Sequence, residues 1–203
     1  MAQTIKADES NFADLIDFVG YIDQLKSVIR RNALHDRSRA ENTAEHSWHA
    51  ALSAIVLAPY ANDPVDIHKV SQMLLIHDLV EIEAGDTFVY DTEKVAEQEQ
   101  AESQAADLVF RQLPKALGDD LRRLWDEFEA RQTPDAKYAK AIDRFLPLFS
   151  NIKNEGFSWQ SYDITAKQVR EVCSIIRDGS VSLWQQTEKM IDEVVEKGFL
   201  QSD

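Results

Sequence analysis

A single cysteine, Cys173, stands among 203 residues, so no intramolecular disulfide can form and a reducing compartment is expected. Glycine (6) and proline (5) are sparse, too few for a fold built from many short strands and tight turns. No apolar run approaches the ~18 residues of a membrane span. The opening MAQTIKADES holds no apolar signal core, so a cytoplasmic protein is expected. Positive charge is also short, with 22 Lys and Arg against 36 Asp and Glu, a net charge of −14. Such a surface repels a phosphodiester polymer and excludes a broad nucleic-acid face. It still admits a small phosphorylated substrate, because a metal ion and one or two arginines can set the local field.

What is present is apolar periodicity. Hydrophobic residues are 44% of the chain, enough for a packed core. Residues 11–31 carry Phe12, Leu15, Ile16, Val19, Ile22 and Leu25 at helical spacing, with Ser10 or Asn11 as cap. The polar stretch 32–42 reads as a loop. Further helices are expected from about Thr43 to Pro59, from about 65 to 84 with Gly85 as stop, and from about 92 to 112 with Val95, Ala101, Ala105, Leu108 and Val109 turned inward. Pro114 and Gly118 then break the chain before a helix over 119–131. Thr133-Pro134 opens another that Pro147 should kink, and a loop with Phe157, Trp159 and Tyr162 follows. Residues 165–197 form one long helix or two, interrupted near Asp178-Gly179. No alternating strand is visible. The expected fold is all-α, one domain over 1–203, with its motifs within 12–155 and a helical extension over 165–200.

Three of these helices have an interrupted apolar face. "TAEHSWHAAL" carries His46, "LLIHDLVE" carries His77 and Asp78, and "AKAIDRFLPLF" carries Asp143. A buried carboxylate needs a cation, a donor or a metal. No Lys or Arg lies between Val70 and Glu93, so no local cation offers itself. Two imidazoles and two carboxylates make a mixed N/O set suited to one divalent cation such as Mn, Co, Fe, Ni, Zn or Mg, with positions left open for water and substrate. His49, one turn beyond His46, and His68 are the alternatives that spacing leaves open.

The pattern His46, then His77-Asp78, then Asp143 resembles the HD-domain metal-dependent phosphohydrolases. The wording of "RAENTAEHSWHAA", "LLIHDLVEIEAGD" and "AKAIDRFLPL" is similar to their 5′-deoxynucleotidase subgroup. That resemblance implies a bundle of about seven to nine helices and a phosphohydrolase acting on nucleoside 5′-monophosphates. It implies one metal held by His46, His77, Asp78 and Asp143. It also implies proton handling by Glu81 and Asp86, and an arginine gripping the phosphate about fifteen residues before His46, at Arg31 with Arg30 beside it. Glu83 is left as a surface carboxylate. Other readings are a different phosphate ester (a triphosphate, an alarmone or a cyclic nucleotide) or a non-catalytic module that kept the fold. The tryptophan that relatives carry after that arginine is replaced in this chain by Asn32-Ala33-Leu34-His35. Val169, Val172, Ile176, Leu183 and Trp184 offer either a homodimer face or a seal on the protein's own core.

Overall fold

The computed structural model describes residues 11–202, apart from the side chains of residues 92–97 and 99. Ser10 and the inward-facing Val95 expected from the sequence therefore lie outside the described residues. The first helix, α1, spans Phe12–Ile22 and continues as a 3-10 turn over Asp23–Ser27. Asn11 precedes it without a side-chain capping bond. The helix expected to reach residue 31 thus ends early. Val28-Ile29 are β-branched and extend, and Ile29–Ala33 (β1) pairs antiparallel with Ala40–Asn42 (β2). An Asp36 side chain accepting from the Ser38 backbone, with Arg37 at φ 61°, turns the chain between them.

Helix α2 (Thr43–Leu57) opens on a capping box. Asn42 accepts from the Glu45 backbone, and the Glu45 side chain accepts from the Asn42 backbone. Helix α3 (Ile67–Ile76), capped by Asp66, stops sooner than expected. His77–Val80 form a 3-10 turn, and α4 (Glu81–Ala84) adds one α turn before Gly85, at φ 78°, ends it. Helix α5 covers Thr92–Phe110. Its Ala105 and Val109 are buried, whereas Ala101 and Leu108 face solvent, contrary to the inward placement expected.

Helix α6 (Lys115–Ala130) begins before Gly118, so that glycine lies inside the helix rather than breaking it. A Cβ there would stand 2.3 Å from the Phe110 carbonyl oxygen, so the residue serves close packing of α6 on the end of α5. Helix α7 (Pro134–Lys153) starts at the Thr133 cap and carries Pro147 without ending. The expected aromatic loop contains a short helix, α8 (Phe157–Ser161). The C-terminal stretch divides into α9 (Ala166–Cys173), α10 (Ile176–Gly179) and α11 (Val181–Glu196). Among the described residues, eight helices have eight residues or more, and β1–β2 is the one sheet. The class is all-α.

Helix α7 lies at the centre, packed against α2, α3, α6, α9, α10, α11 and β1. One core cluster gathers α2, α3, α7 and the C-terminal helices around Met73, Leu74 and Ile142. A second joins α1, the 77–80 turn, α5 and α6 around Phe110 and Trp125. His77 stands at their junction, where the Trp125 indole donates to its carbonyl at 2.9 Å. No helix among the described residues is long and apolar enough to cross a membrane.

Candidate metal centre

Three elements bring the polar interruptions together. His46 comes from the first turn of α2, His77 from the 3-10 turn after α3, and Asp143 from the middle of α7; all three are buried. Ligand atoms of these three lie within 4.8 Å of one another. His46 Nε2 is 2.9 Å from Asp143 Oδ1, and His77 Nε2 is 3.3 Å from the same oxygen. Asp78 joins them, with Oδ1 3.1 Å from His77 Nε2. His49 is half-buried and outside this cluster, and His68 is exposed.

The donor set fits a divalent cation. Bonds of ~2.1 Å place neighbouring ligand atoms of one coordination shell roughly 3 Å apart, and the observed separations match. His77 Nδ1 is 2.9 Å from the Leu74 carbonyl, which can only accept, so Nδ1 carries a proton and Nε2 is the nitrogen turned to the cluster. His46 Nδ1 is buried without a hydrogen-bond partner, and Glu41 Oε2 stands 3.8 Å from it.

The protonation pattern points the same way. Burial lowers His46 to about 4, with the Arg30 charge adding to the effect. Burial opposes a charge on His77 as well, but the carboxylates of Asp78 and Asp143 override it and push the imidazole up to about 10. The same field that holds a proton there attracts a metal ion. Burial raises Glu81 well above the carboxylate range, and the Asp78 charge adds to that. Burial raises Asp86 also.

The expectation that no cation lies near the acids is overturned by the fold. Arg30 Nη1 is 2.8 Å from Asp78, 3.6 Å from Asp86 and 3.9 Å from Glu81, while Arg30 Nε is 3.9 Å from Glu41. Lys140, one helical turn before Asp143, reaches its Oδ2 at 2.8 Å and stacks over Phe128. The sequence window around His77 contained neither, because both arrive from distant elements. The strand explains the division of labour between the two arginines. On a helix Arg30 and Arg31 would be neighbours about 100° apart, but on β1 they point to opposite faces. Arg30 turns inward to the acids, while Arg31 is exposed and reaches the Tyr162 hydroxyl at 3.2 Å.

A cavity of about 250 Å³ opens on the cluster, at the small end of ligand clefts. Asp78, Glu81, Asp86, Asp143, Arg30 and Arg31 all line it. The Thr43 hydroxyl donates to Glu81 at 2.9 Å. Glu83, by contrast, is exposed and accepts from Tyr21. Glu41, Thr43 and Lys140 were missed from sequence. Glu41 and Thr43 lay within "RAENTAEH" and Lys140 within "AKAIDRF", but nothing in their spacing marked them. In place of the missing tryptophan, Phe88, Tyr90 and Trp159 supply aromatic surface to the cavity wall.

Comparison with known proteins gives the family and the fold. The model of the HD domain family matches residues 22–184. The human "5'-deoxynucleotidase HDDC2" is 28% identical over 131 residues, 64% of this chain and 63% of that protein. The mouse protein of the same name is 27% identical over 139 residues, 68% of each chain. The match therefore spans less than two thirds of the human relative. The crystal structure of a "predicted metal-dependent phosphohydrolase" from Magnetospirillum magnetotacticum MS-1 superposes with a TM-score of 0.89 at 43% identity, covering 95% of this chain and 100% of that one.

Proposed function

The chain belongs to the HD domain family, and from that premise we propose that it is a divalent-metal-dependent phosphohydrolase converting nucleoside 5′-monophosphates to nucleoside and phosphate. The observation that carries this reading is the convergence of two imidazole Nε2 atoms on one buried Asp143 oxygen at the wall of a ligand-sized cavity. The relatives named 5'-deoxynucleotidase support the substrate class. We assign the metal to His46, His77, Asp78 and Asp143. When bound, a divalent cation draws in a phosphoryl oxygen and acidifies water.

The chain's own residues do the rest. Arg31, at the rim, meets phosphate oxygens with its guanidinium fork. Arg30, tied to Asp78, keeps the acid cluster compact. Glu81, oriented by Thr43, takes a proton from the attacking water. Asp86 gives one to the departing ribose oxygen, a poor leaving group without it. Burial, by raising Asp86, suits it as the acid, and the Arg30 charge favours the ionised form of Glu81 that a base requires. Cys173 is buried and its thiol is pushed up to about 12, which disfavours a thiolate nucleophile, and we read the hydrolysis as direct attack by water in a single step.

The test is phosphate release from nucleoside 5′-monophosphates with added Mn²⁺ or Co²⁺, and again after chelation. Release should vanish with chelator and in Asp78→Ala and Asp143→Ala. Undiminished release in either variant would overturn the ligand assignment. A panel of triphosphates and cyclic nucleotides run alongside separates the second reading, another phosphate ester. That reading gains from the cavity wall, which also holds Arg131, Lys140 and Arg144 and so has more cations than the sequence suggested.

We further propose a single domain, a homodimer and a cytoplasmic location. The last rests on the lone buried thiol and predicts recovery in the soluble cytosolic fraction. The dimer face proposed is α2, because Val169, Ile176, Leu183 and Trp184 are spent on the protein's own core.

A further inference from the structure

Five cations line the cavity: Arg30, Arg31, Arg131, Lys140 and Arg144. Four of them have partners. Arg30 and Lys140 hold carboxylates, Arg31 holds Tyr162, and Arg131 reaches Glu129 at 3.5 Å. Arg144 makes no ion pair or hydrogen bond among the described residues; its Nε is buried without a partner, as are those of Arg30 and Arg131, but its guanidinium has no partner at any other nitrogen either. An orphaned buried donor is rare in folded proteins. Of the cations that line the cavity, it is the one with neither an ion pair nor a hydrogen bond among the described residues.

Its position separates it from the phosphate end. Arg144 follows Asp143 on α7, so its side chain leaves the helix about 100° away from the metal-facing direction. Its charge is felt at Tyr90 and Cys173. Tyr90, Leu148, Trp159, Val172 and Cys173 line the same cavity, giving this part of the wall an aromatic and apolar character. A second phosphate would want several donors together. A flat, neutral acceptor held among aromatic rings suits a single fork of N–H groups in apolar surroundings.

We propose that Arg144 is a specificity-determining residue that recognises the nucleobase and favours 6-oxopurines. This rests on the reading of the substrate as a nucleotide. Guanine and hypoxanthine present O6 and N7 as adjacent acceptors, which a guanidinium meets with two parallel hydrogen bonds. Adenine places an amino donor where O6 would be, so one Arg144 donor faces another and stays unsatisfied. A bidentate pair of this kind discriminates by about 1–3 kcal/mol, or roughly 5- to 150-fold.

The experiment compares 2′-deoxyguanosine and 2′-deoxyadenosine 5′-monophosphates on the full chain with Mn²⁺. Wild type should prefer the guanine substrate in kcat/KM by about tenfold or more. Arg144→Met, which keeps the apolar stem, should lose that preference through KM, with the adenine substrate within about twofold of wild type. Arg144→Lys keeps the charge without the fork and should lose it too. Equal losses on both bases, or an unchanged ratio, overturn the proposal. Binding of guanosine and adenosine to the same proteins by calorimetry reads Arg144 without any phosphate chemistry. Guanosine affinity that falls selectively in Arg144→Met supports the assignment, and equal affinities overturn it, whether or not the hydrolysis reading survives.

Discussion

Carboxylates around the cavity are tuned by how much water they keep. Glu102 on α5 lines its wall and accepts from Gln98 at 3.0 Å. Burial raises it from an ordinary 4.5 to about 7, and the charges of Glu129 and Asp78 add to the rise. The folded protein therefore binds this proton more tightly than the unfolded chain. Its contribution to stability is complete below pH 4.5 and disappears as pH climbs through 7. Glu102→Gln removes that dependence, so the variant should gain on wild type between pH 5 and pH 8 by on the order of 1–3 kcal/mol. Denaturant melts at the two values measure it, and parallel pH profiles would refute burial of Glu102 as the cause. At this scale the candidate ligands were legible only in combination, since a lone His or Asp in a helical run usually has a local partner, whereas interruptions of three apolar faces that together resemble one family's motif point to a shared ion. Glu41 and Lys140 were not, because a charged residue beside a motif looks the same whether it faces solvent or a buried partner.

Elements are placed by close backbone approaches that a glycine permits. Gly179 ends α10, and a Cβ there would lie 2.3 Å from the Lys137 carbonyl oxygen and 2.7 Å from Tyr138 Cα, both backbone atoms of α7. Neither can swing aside, so α10 must lift from α7. Gly179→Ala should cost about 1–3 kcal/mol, lowering the melting temperature by roughly 2–4 °C per kcal/mol. An unchanged melting temperature would mean that the helices are not held this closely. The interruption at Asp178-Gly179 was visible in the sequence, while the reason for it was not. The same holds for the two boundaries that matter most to the site. An i, i+3/i+4 pattern continues through residues 23–31 on paper, yet Ile29–Ala33 finds a strand partner in Ala40–Asn42. That tertiary pairing, which local periodicity cannot register, sends Arg30 inward and Arg31 outward. Likewise a continuous helix was expected through His77, where a 3-10 turn stands. With three residues per turn, Asp78 and Glu81 fall in line on the side of Arg30.

The whole molecule shows an apolar stripe that its own core does not use. Trp48, Leu52, Ile55 and Val56 recur along α2 at helical spacing and are 62%, 46%, 53% and 66% exposed. Isolated exposed apolar residues are ordinary, but a contiguous stripe on one helix marks an interface. A second copy of this chain meeting it about a two-fold axis is the simplest occupant. Light scattering after size exclusion should give twice the monomer mass, and Leu52→Glu with Val56→Glu should give a monomer. A wild-type monomer at micromolar concentration would remove the dimer. By itself the sequence determined the helical class, because helical periodicity is local, and it singled out His46, His77, Asp78 and Asp143 through the resemblance of their motifs to one family. Only the tertiary structure decided which cations answer the acids, which arginine reaches the rim, and that Arg144 has no ion pair or hydrogen bond among the described residues. Those depend on residues far apart in sequence meeting within a few ångströms, and no local pattern records such a meeting.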